Sequence, residues 1–322
     1  MNYFLTELNF EGYIPKDHTN LRAAETWIKF LGAYHLNLFK TLNEDKKYTD
    51  SICWLIIPKG DEAVKYLTQN CLNLVEKLKT KFNKVHCIQE GESTFWHKYD
   101  VTTQTWIFLQ FEEADKIYTQ NKYDLKYLRG LHNNSKFGII RSVMDDSILN
   151  TNNFKEKQNK TLLPGPFTTE YYGFTQTIVA RHTECEIDIP PMGQSRMPKD
   201  SWGMAENVGV NYLPYMMWKE WMENMSQYKY AYFLVPSIGA GTFPLNCAYH
   251  GIPCVGDIRA DTQKLLFPLL SIDHLDLEQA VYLTQKLKSD KIFYSEVSNY
   301  AREVYKNEFS KERFLEIIKL DY

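Results

Sequence analysis

The sequence predicts an α/β protein made of two Rossmann-like domains in tandem, and three observations carry that expectation. Short apolar runs rich in branched residues alternate with segments of helical periodicity, the pattern of parallel βαβ units with helices on both faces of a sheet. The chain has 322 residues, which suits two domains of roughly 100–200 residues each. The alternation lapses once, at Asn150–Lys160 (NTNNFKEKQNK), a polar stretch without periodicity, and then resumes. The expected domains are therefore 1–155 and 156–305, followed by a last helix at about 306–322.

Each element follows from its local pattern. Tyr3–Leu8 reads as a first strand, and a long helix is expected from Leu21 to about Leu42 with Asn20 as N-cap. Ser51–Pro58 (SICWLIIP) is a buried-strand run that stops at a proline. Asp61–Lys81 reads as one helix, since Val64, Leu67, Cys71, Leu74, Val75 and Leu78 recur at three- and four-residue spacing. Strands follow at Lys84–Gln89, Lys116–Thr119 and Phe137–Val143, with helices at Thr102–Ala114 and Tyr123–Leu131 between them. In the second half, strands are expected at Thr177–Ala180, Gly209–Leu213, Tyr230–Val235 and Ile252–Val255. Helices are expected there at Met217–Met225, Phe243–His250, Leu277–Leu287, Lys291–Tyr305 and Lys311–Leu320.

A hydrophobic fraction of 44% with 24% charged residues is that of an ordinary globular protein, which excludes a disordered, collagen-like or disulfide-scaffold chain. Net charge is −3, and the first 150 residues carry 19 basic and 19 acidic side chains. No global basic field therefore points to nonspecific nucleic-acid binding, although Lys77–Lys84 leaves room for a local basic groove. The six cysteines include no CxxC pair and sit mostly in apolar stretches, as reduced thiols do, so a cytoplasmic location is expected. The N-terminus has no basic region followed by an apolar core, and no window of 18 uninterrupted apolar residues occurs. Neither a signal peptide nor an integral membrane segment is expected.

The most informative stretch is Tyr230–Gly256, YAYFLVPSIGAGTFPLNCAYHGIPCVG. A strand ends at Pro236-Ser237, a Gly-Ala-Gly-Thr turn leads into a helix, Gly251 closes it, and Ile252-Pro253 opens the next strand. Glycines allow close backbone approach to a ligand, and free N–H groups at a helix start attract anions. This segment resembles the donor-binding segment of GT-B glycosyltransferases, especially the large retaining group that uses nucleotide-diphosphate sugars. The resemblance implies two Rossmann-like domains facing each other across a cleft, with the C-terminal one holding the nucleotide sugar. It extends upstream to Val208–Tyr215, similar to the element that holds the nucleobase, which brings in Leu213 and Tyr215. Ile178–Arg181 resembles the first strand of the second domain, after which the family places a basic residue on the diphosphate. Gly12–Asn20 matches the glycine-bearing loop of the first domain, and the final helices resemble a segment that often crosses back to it.

The resemblance implies a donor site of Gly12, Asn20, Arg181, Arg196, Lys199, Leu213, Tyr215, Gly239, Gly241, Thr242 and Asn246. The chain also departs from the family pattern. Two glutamates eight residues apart are usual, and Ile238 and Asn246 stand in their places. An amide still bonds a ribose hydroxyl but adds no charge. The basic pair is not cleanly spaced either, with Arg196 or Lys199 as second member. Bland alternatives stay open for each residue: a plain tight turn at Gly239–Thr242, a satisfied core amide at Asn246, and solvated cations at Arg181, Arg196 and Lys199. On the acceptor side, Glu90, Trp96 and His97 follow a strand at the edge expected to face the cleft. Retention needs no dedicated base; an inverting enzyme would need one, for which Glu92 and Asp100 are the candidates, against the alternative of a solvated loop around one core tryptophan. His35, inside a helical pattern, is read as structural.

The expected activity is transfer of a hexose, UDP-glucose being the first donor guess, to an acceptor hydroxyl with retention. Arg181 and the helix start would stabilise the departing diphosphate. No metal and no cofactor beyond the nucleotide sugar is expected, since Asp145-Asp146 lacks a strand-end DxD context. Compact length and the look of the first domain resemble phage-encoded glycosyltransferases, which implies a 5-hydroxymethylpyrimidine in DNA as acceptor and the host cytoplasm as location. A cell-surface glycan or protein acceptor, or a noncatalytic nucleotide-sugar-binding protein, are the alternatives. No GxGxxG follows the first strand, which argues against a dinucleotide-dependent dehydrogenase.

Overall fold

The computed structural model describes residues 1–19, 21, 23–58, 61–132, 136–165, 167, 173–190, 205–236 and 239–320. The chain divides into two compact units. Unit 1 comprises residues up to His18, Ala23–Arg141 and the chain from Phe314 onward; unit 2 comprises Ser142–Arg313 together with Thr19 and Leu21.

Unit 1 is a six-stranded sheet of β1 (Asn2–Thr6), β2 (Tyr34–Asn37), β3 (Tyr48–Ile56), β4 (Phe82–Gln89), β5 (Lys116–Thr119) and β6 (Phe137–Ile139). Its order is β2-β1-β3-β4-β5-β6 with every pairing parallel. Between the strands run α1 (Ala23–Phe30), α2 (Leu38–Asn43), α3 (Asp61–Asn70), α4 (Leu74–Lys79), α5 (Val101–Glu113) and α6 (Lys122–Leu131). Leu5, Cys53, Leu55, Val85 and Ile117 form a continuous core with Leu67, Leu78 and Phe111 from α3, α4 and α5. Each fully buried aliphatic of this kind contributes about 1.5–3 kcal/mol.

Unit 2 holds β7 (Lys160–Leu162), β8 (Glu186–Ile189), β9 (Val210–Tyr212), β10 (Tyr230–Phe233), β11 (Cys254–Asp257) and β12 (Ser271–Ile272). The order is β12-β11-β10-β7-β8-β9, again wholly parallel. Its helices are α7 (Gly173–Ala180), α8 (Trp218–Met225), α9 (Thr242–His250), α10 (Asp261–Leu266), α11 (Leu277–Ser289) and α12 (Lys291–Glu308). The last helix, α13 (Lys311–Leu320), reaches unit 1, where Phe314 packs on Phe30 with ring centroids 5.9 Å apart. Strand order reverses between β7 and β10, the dinucleotide-fold arrangement that opens a crevice outside the carboxyl ends of those strands. The α/β class and paired Rossmann-like sheets thus match the expectation.

Three local expectations are corrected. The long helix from Leu21 to Leu42 is two short helices around strand β2. Gly32, at φ +59°, ends α1 by turning left-handed, and Ala33 N–H donates to the Ile28 carbonyl at 2.9 Å. His35 therefore lies on a strand, fully buried. It is structural, with Nε2 2.9 Å from Thr6 Oγ1, Nδ1 2.7 Å from the Phe10 carbonyl and the Phe10 ring stacked 4.0 Å away. Asp61–Lys81 is broken at Cys71–Asn73, where the buried Gln110 side chain accepts from Val75 N–H (3.1 Å) and donates to the Leu72 carbonyl (2.8 Å). Thr177–Ala180 is the end of α7 rather than a strand. Gly173, Gln176, Thr177, Val179 and Ala180 are its buried face, and Phe174 and Ile178, four apart, point outward. Asn20, expected as an N-cap, lies outside the described residues. No helix among the described residues is long and apolar enough to cross a membrane.

Candidate nucleotide-sugar site

The turn after β10 is built from the strand outward. Tyr230–Phe233 is buried along its length, so the chain leaves the sheet at its carboxyl edge, at the reversal point of the strand order. Gly241 takes φ +69° as N-cap of α9, a conformation that costs an L-residue roughly 1–2 kcal/mol. Thr262 Oγ1 donates to the Ala240 carbonyl at 3.2 Å and ties the turn to α10. Thr242 starts α9 with its hydroxyl 3.4 Å from Ser142 Oγ. Gly239 is half-buried beside them. Asn246, one turn into α9, is 4% exposed, and its Oδ1 has no hydrogen-bond partner. An unpartnered buried amide oxygen costs about 1–3 kcal/mol, and a ligand hydroxyl would satisfy it.

A polar cluster at the same edge was missed by sequence reasoning. Asp257, last residue of β11 and 2% exposed, accepts from Arg259 Nε at 2.9 and 3.1 Å. Arg259 Nη2 also donates to the Pro236 carbonyl at 3.2 Å, just past the end of β10. His274, after β12, places Nδ1 2.9 Å from both the guanidinium and the carboxylate. A fork held in this way is fixed in place beside the turn, with its charge balanced by the Asp257 carboxylate. The signal was available: Asp257 and Arg259 flank the end of an expected strand, where α/β ligands bind.

The other expected donor residues are scattered. Leu213 and Tyr215 follow β9 at the carboxyl edge, with Leu213 N–H extending the ladder to the Ile189 carbonyl at 2.9 Å. Arg181 does not join them. It follows a helix and precedes β8, so it stands at the amino edge of the sheet, where Nη2 donates to the Val208 carbonyl at 2.7 Å. Gly12 is bridged to β2 in unit 1, its N–H and carbonyl both bonded to His35 at 3.0 and 2.9 Å. Asn20, Arg196 and Lys199 lie outside the described residues, as do Ser237 and Ile238.

In unit 1, the expected acceptor segment follows β4. Glu90 stands at its carboxyl end, and Gly91 N–H donates to the Gln120 side chain at 2.9 Å. Trp96 is a core residue, 5% exposed, with Nε1 donating to Gln89 Oε1 (3.0 Å) and its ring 5.2 Å from Phe111. It also lines a recess of about 20 Å³ with Ile57, Ile88 and Glu90, room for about one water. His97 is exposed, edge-on to Tyr127 at 6.2 Å. Glu92 is buried just before a 3-10 turn. Asp100 is the N-cap of α5 and accepts from the Thr103 N–H (2.9 Å) and hydroxyl (3.0 Å). Those bonds hold its carboxyl below the usual range, which suits a cap better than a base. Within the basic run, Lys79 pairs with Asp115 at 3.2 Å at the amino edge of the sheet. Among the described residues, no group of three His, Cys, Asp or Glu side chains is arranged to hold a metal.

Comparison with solved structures gives the same fold class. Sucrose-phosphate synthase from Thermosynechococcus elongatus is similar at a TM-score of 0.68 and 10% identity, covering 99% of this chain and 97% of that one. An alpha-glucosyltransferase, solved in complex with UDP-glucose and DNA containing an abasic site, matches at TM-score 0.62 and 13% identity over 99% of this chain and 98% of that one. TarM matches at TM-score 0.63 and 12% identity over 88% of this chain; the match spans only 57% of TarM. No protein-family profile matches the sequence, and neither does any curated protein sequence. The fold is that of the GT-B glycosyltransferases.

Proposed function

We propose that the protein is a glycosyltransferase whose unit 2 binds a nucleotide-diphosphate sugar at the carboxyl edge of its sheet. The observation that carries this reading is the Gly239–Thr242 turn into α9 together with the buried, unpartnered Oδ1 of Asn246. The N–H groups at the start of α9 face developing charge on the diphosphate. Asn246 accepts a ribose hydroxyl, and Arg259 supplies the cation that the family resemblance sought at Arg181. The nucleobase lies against Leu213 and Tyr215. The sugar is a hexose, with UDP-glucose the first candidate, transferred with retention and without a metal. For the acceptor we favour a 5-hydroxymethylpyrimidine in DNA, supported by the similarity in fold to an alpha-glucosyltransferase solved with DNA. Recognition falls to the segment after β4, with Glu90 and His97 nearest solvent. The reaction is placed in the cytoplasm, the host's for a phage-encoded chain.

A thermal-shift panel of UDP, GDP, ADP and their sugars, with NAD as control, tests the donor. A ligand at 100 times its Kd adds about 2.7 kcal/mol, so one diphosphate nucleotide is expected to raise the melting temperature selectively. Silence across the panel overturns the reading. With the donor known, hydroxymethylated DNA should gain the mass of one hexose per modified base. Transfer to a glycan or protein alone would replace the DNA acceptor.

A further inference from the structure

A cavity in unit 2 lies away from the nucleotide-sugar turn. It has a volume of about 500 Å³ and is bounded by the chain just before β7, the end of α8, the end of α9 and one face of α12. These segments precede β7, β10 and β11, so the cavity opens at the amino edge, the opposite end of the strands that carry the turn. A volume of this size accommodates a small organic ligand.

Its lining is chemically specific. Lys155, Lys157, Arg302 and Lys306 contribute four cations against two acids, Asp146 and Glu156. None of the four is in an ion pair with a carboxylate. Lys157 Nζ donates to the Tyr228 carbonyl at 2.7 Å and Arg302 Nη2 to the His250 carbonyl at 2.9 Å. Asp146 is engaged by Tyr305 Oη at 2.9 Å. Burial first, and the nearby Arg302 second, pull the Lys157 ammonium down to about 7. Both lysine and arginine residues keep substantial surface through the opening.

Two further observations point to a ligand. His250, 6% exposed, is bonded through its ring to the Met222 backbone, while Nε2 is buried without a partner. Neutral, that nitrogen is an acceptor for a hydroxyl. Packed against His250, the rings of Phe154, Tyr249 and Tyr305 stand edge to face, with centroids 6.1 and 5.3 Å apart, a wall against which a ring can lie.

We infer that this cavity is a second binding site, for a small phosphate ester carried on a hydroxylated ring. The phosphate meets Lys157 and Arg302, a ring hydroxyl donates to His250 Nε2, and the ring lies on the aromatic wall. A sugar phosphate and a nucleoside monophosphate share this chemistry. The inference is independent of the glycosyltransferase reading, which concerns the other edge of the sheet.

Titration calorimetry on the full chain with glucose 6-phosphate, UMP and inorganic phosphate tests it. One of the two esters is expected to bind about tenfold or more tightly than inorganic phosphate, and which one identifies the ring. Lys157→Gln/Arg302→Gln should weaken that ester at least about tenfold. Because Arg302 also caps α9, the exposed pair Lys155→Gln/Lys306→Gln serves as a second variant, with an expected loss of about threefold and an unchanged circular-dichroism spectrum. Asn246→Ala should leave glucose 6-phosphate binding untouched and remove only UMP held at the nucleotide-sugar turn. The inference is overturned if neither ester outbinds inorganic phosphate, or if Asn246→Ala abolishes binding while both cation variants retain it.

Discussion

Gly241 and Thr262 claim the same space: a Cβ on Gly241 would stand 2.5 Å from the Thr262 Cβ and 2.7 Å from its hydroxyl. The close approach lets Thr262 hold the turn through the Ala240 carbonyl. Gly241→Ala is therefore expected to cost about 2–4 kcal/mol, from the left-handed backbone and the collision together. Urea unfolding measures it. A cost below 1 kcal/mol would mean that the turn relaxes freely and is not a fixed cradle.

Asn246→Ala separates a ligand contact from a core amide. In the ligand-free protein the loss of an unpartnered buried oxygen should leave stability unchanged or raise it. Affinity for the preferred nucleotide should fall by about 1–3 kcal/mol. Calorimetry and thermal melting on the same preparations distinguish the two roles, since a satisfied core amide would show the reverse.

Arg259 and Arg181 give opposite expectations. Arg259→Lys keeps a charge beside buried Asp257 but loses the planar fork, so nucleotide-diphosphate affinity should drop about tenfold with folding intact. Arg181→Ala, at the other edge of the sheet, should change that affinity by less than about twofold. Equal losses in both would disprove the assignment of edges.

Stability should decline in mild acid. Burial lowers His86 to about 4 and His250 to about 3, against roughly 6.5 in the unfolded chain. Both are neutral in the fold, so their contribution is complete above about pH 6.5. It is lost as the pH falls toward the folded values, at up to about 1.4 kcal/mol per pH unit for each group. Denaturant midpoints between pH 7 and pH 4.5 should fall, and His86→Gln should flatten the slope by the share of one group.

Much of this was legible before any coordinates. Lys116–Thr119 lies where its apolar run placed it, because a buried parallel strand between two helices has few other ways to be read. Thr177–Ala180 was misread because β-branched residues favour strands locally, while Gly173 and the buried face at three- and four-residue spacing decide for a helix. The break in Asp61–Lys81 depends on Gln110, some 35 residues away, and no local pattern carries that. At the site, Gly241, Thr242 and Asn246 were visible because turn chemistry is local. Arg181 would stand at the carboxyl edge only if Thr177–Ala180 were a strand, and because that segment is helical it falls at the amino edge.

The contact between Phe30 and Phe314 has a consequence for biogenesis. A ribosome releases the strands of unit 1 first, yet the helix that covers Phe30 emerges only after all of unit 2 has been made. The amino-terminal unit is thus the first to be started and the last to be completed, and it waits through the synthesis of its neighbour with one apolar face uncovered.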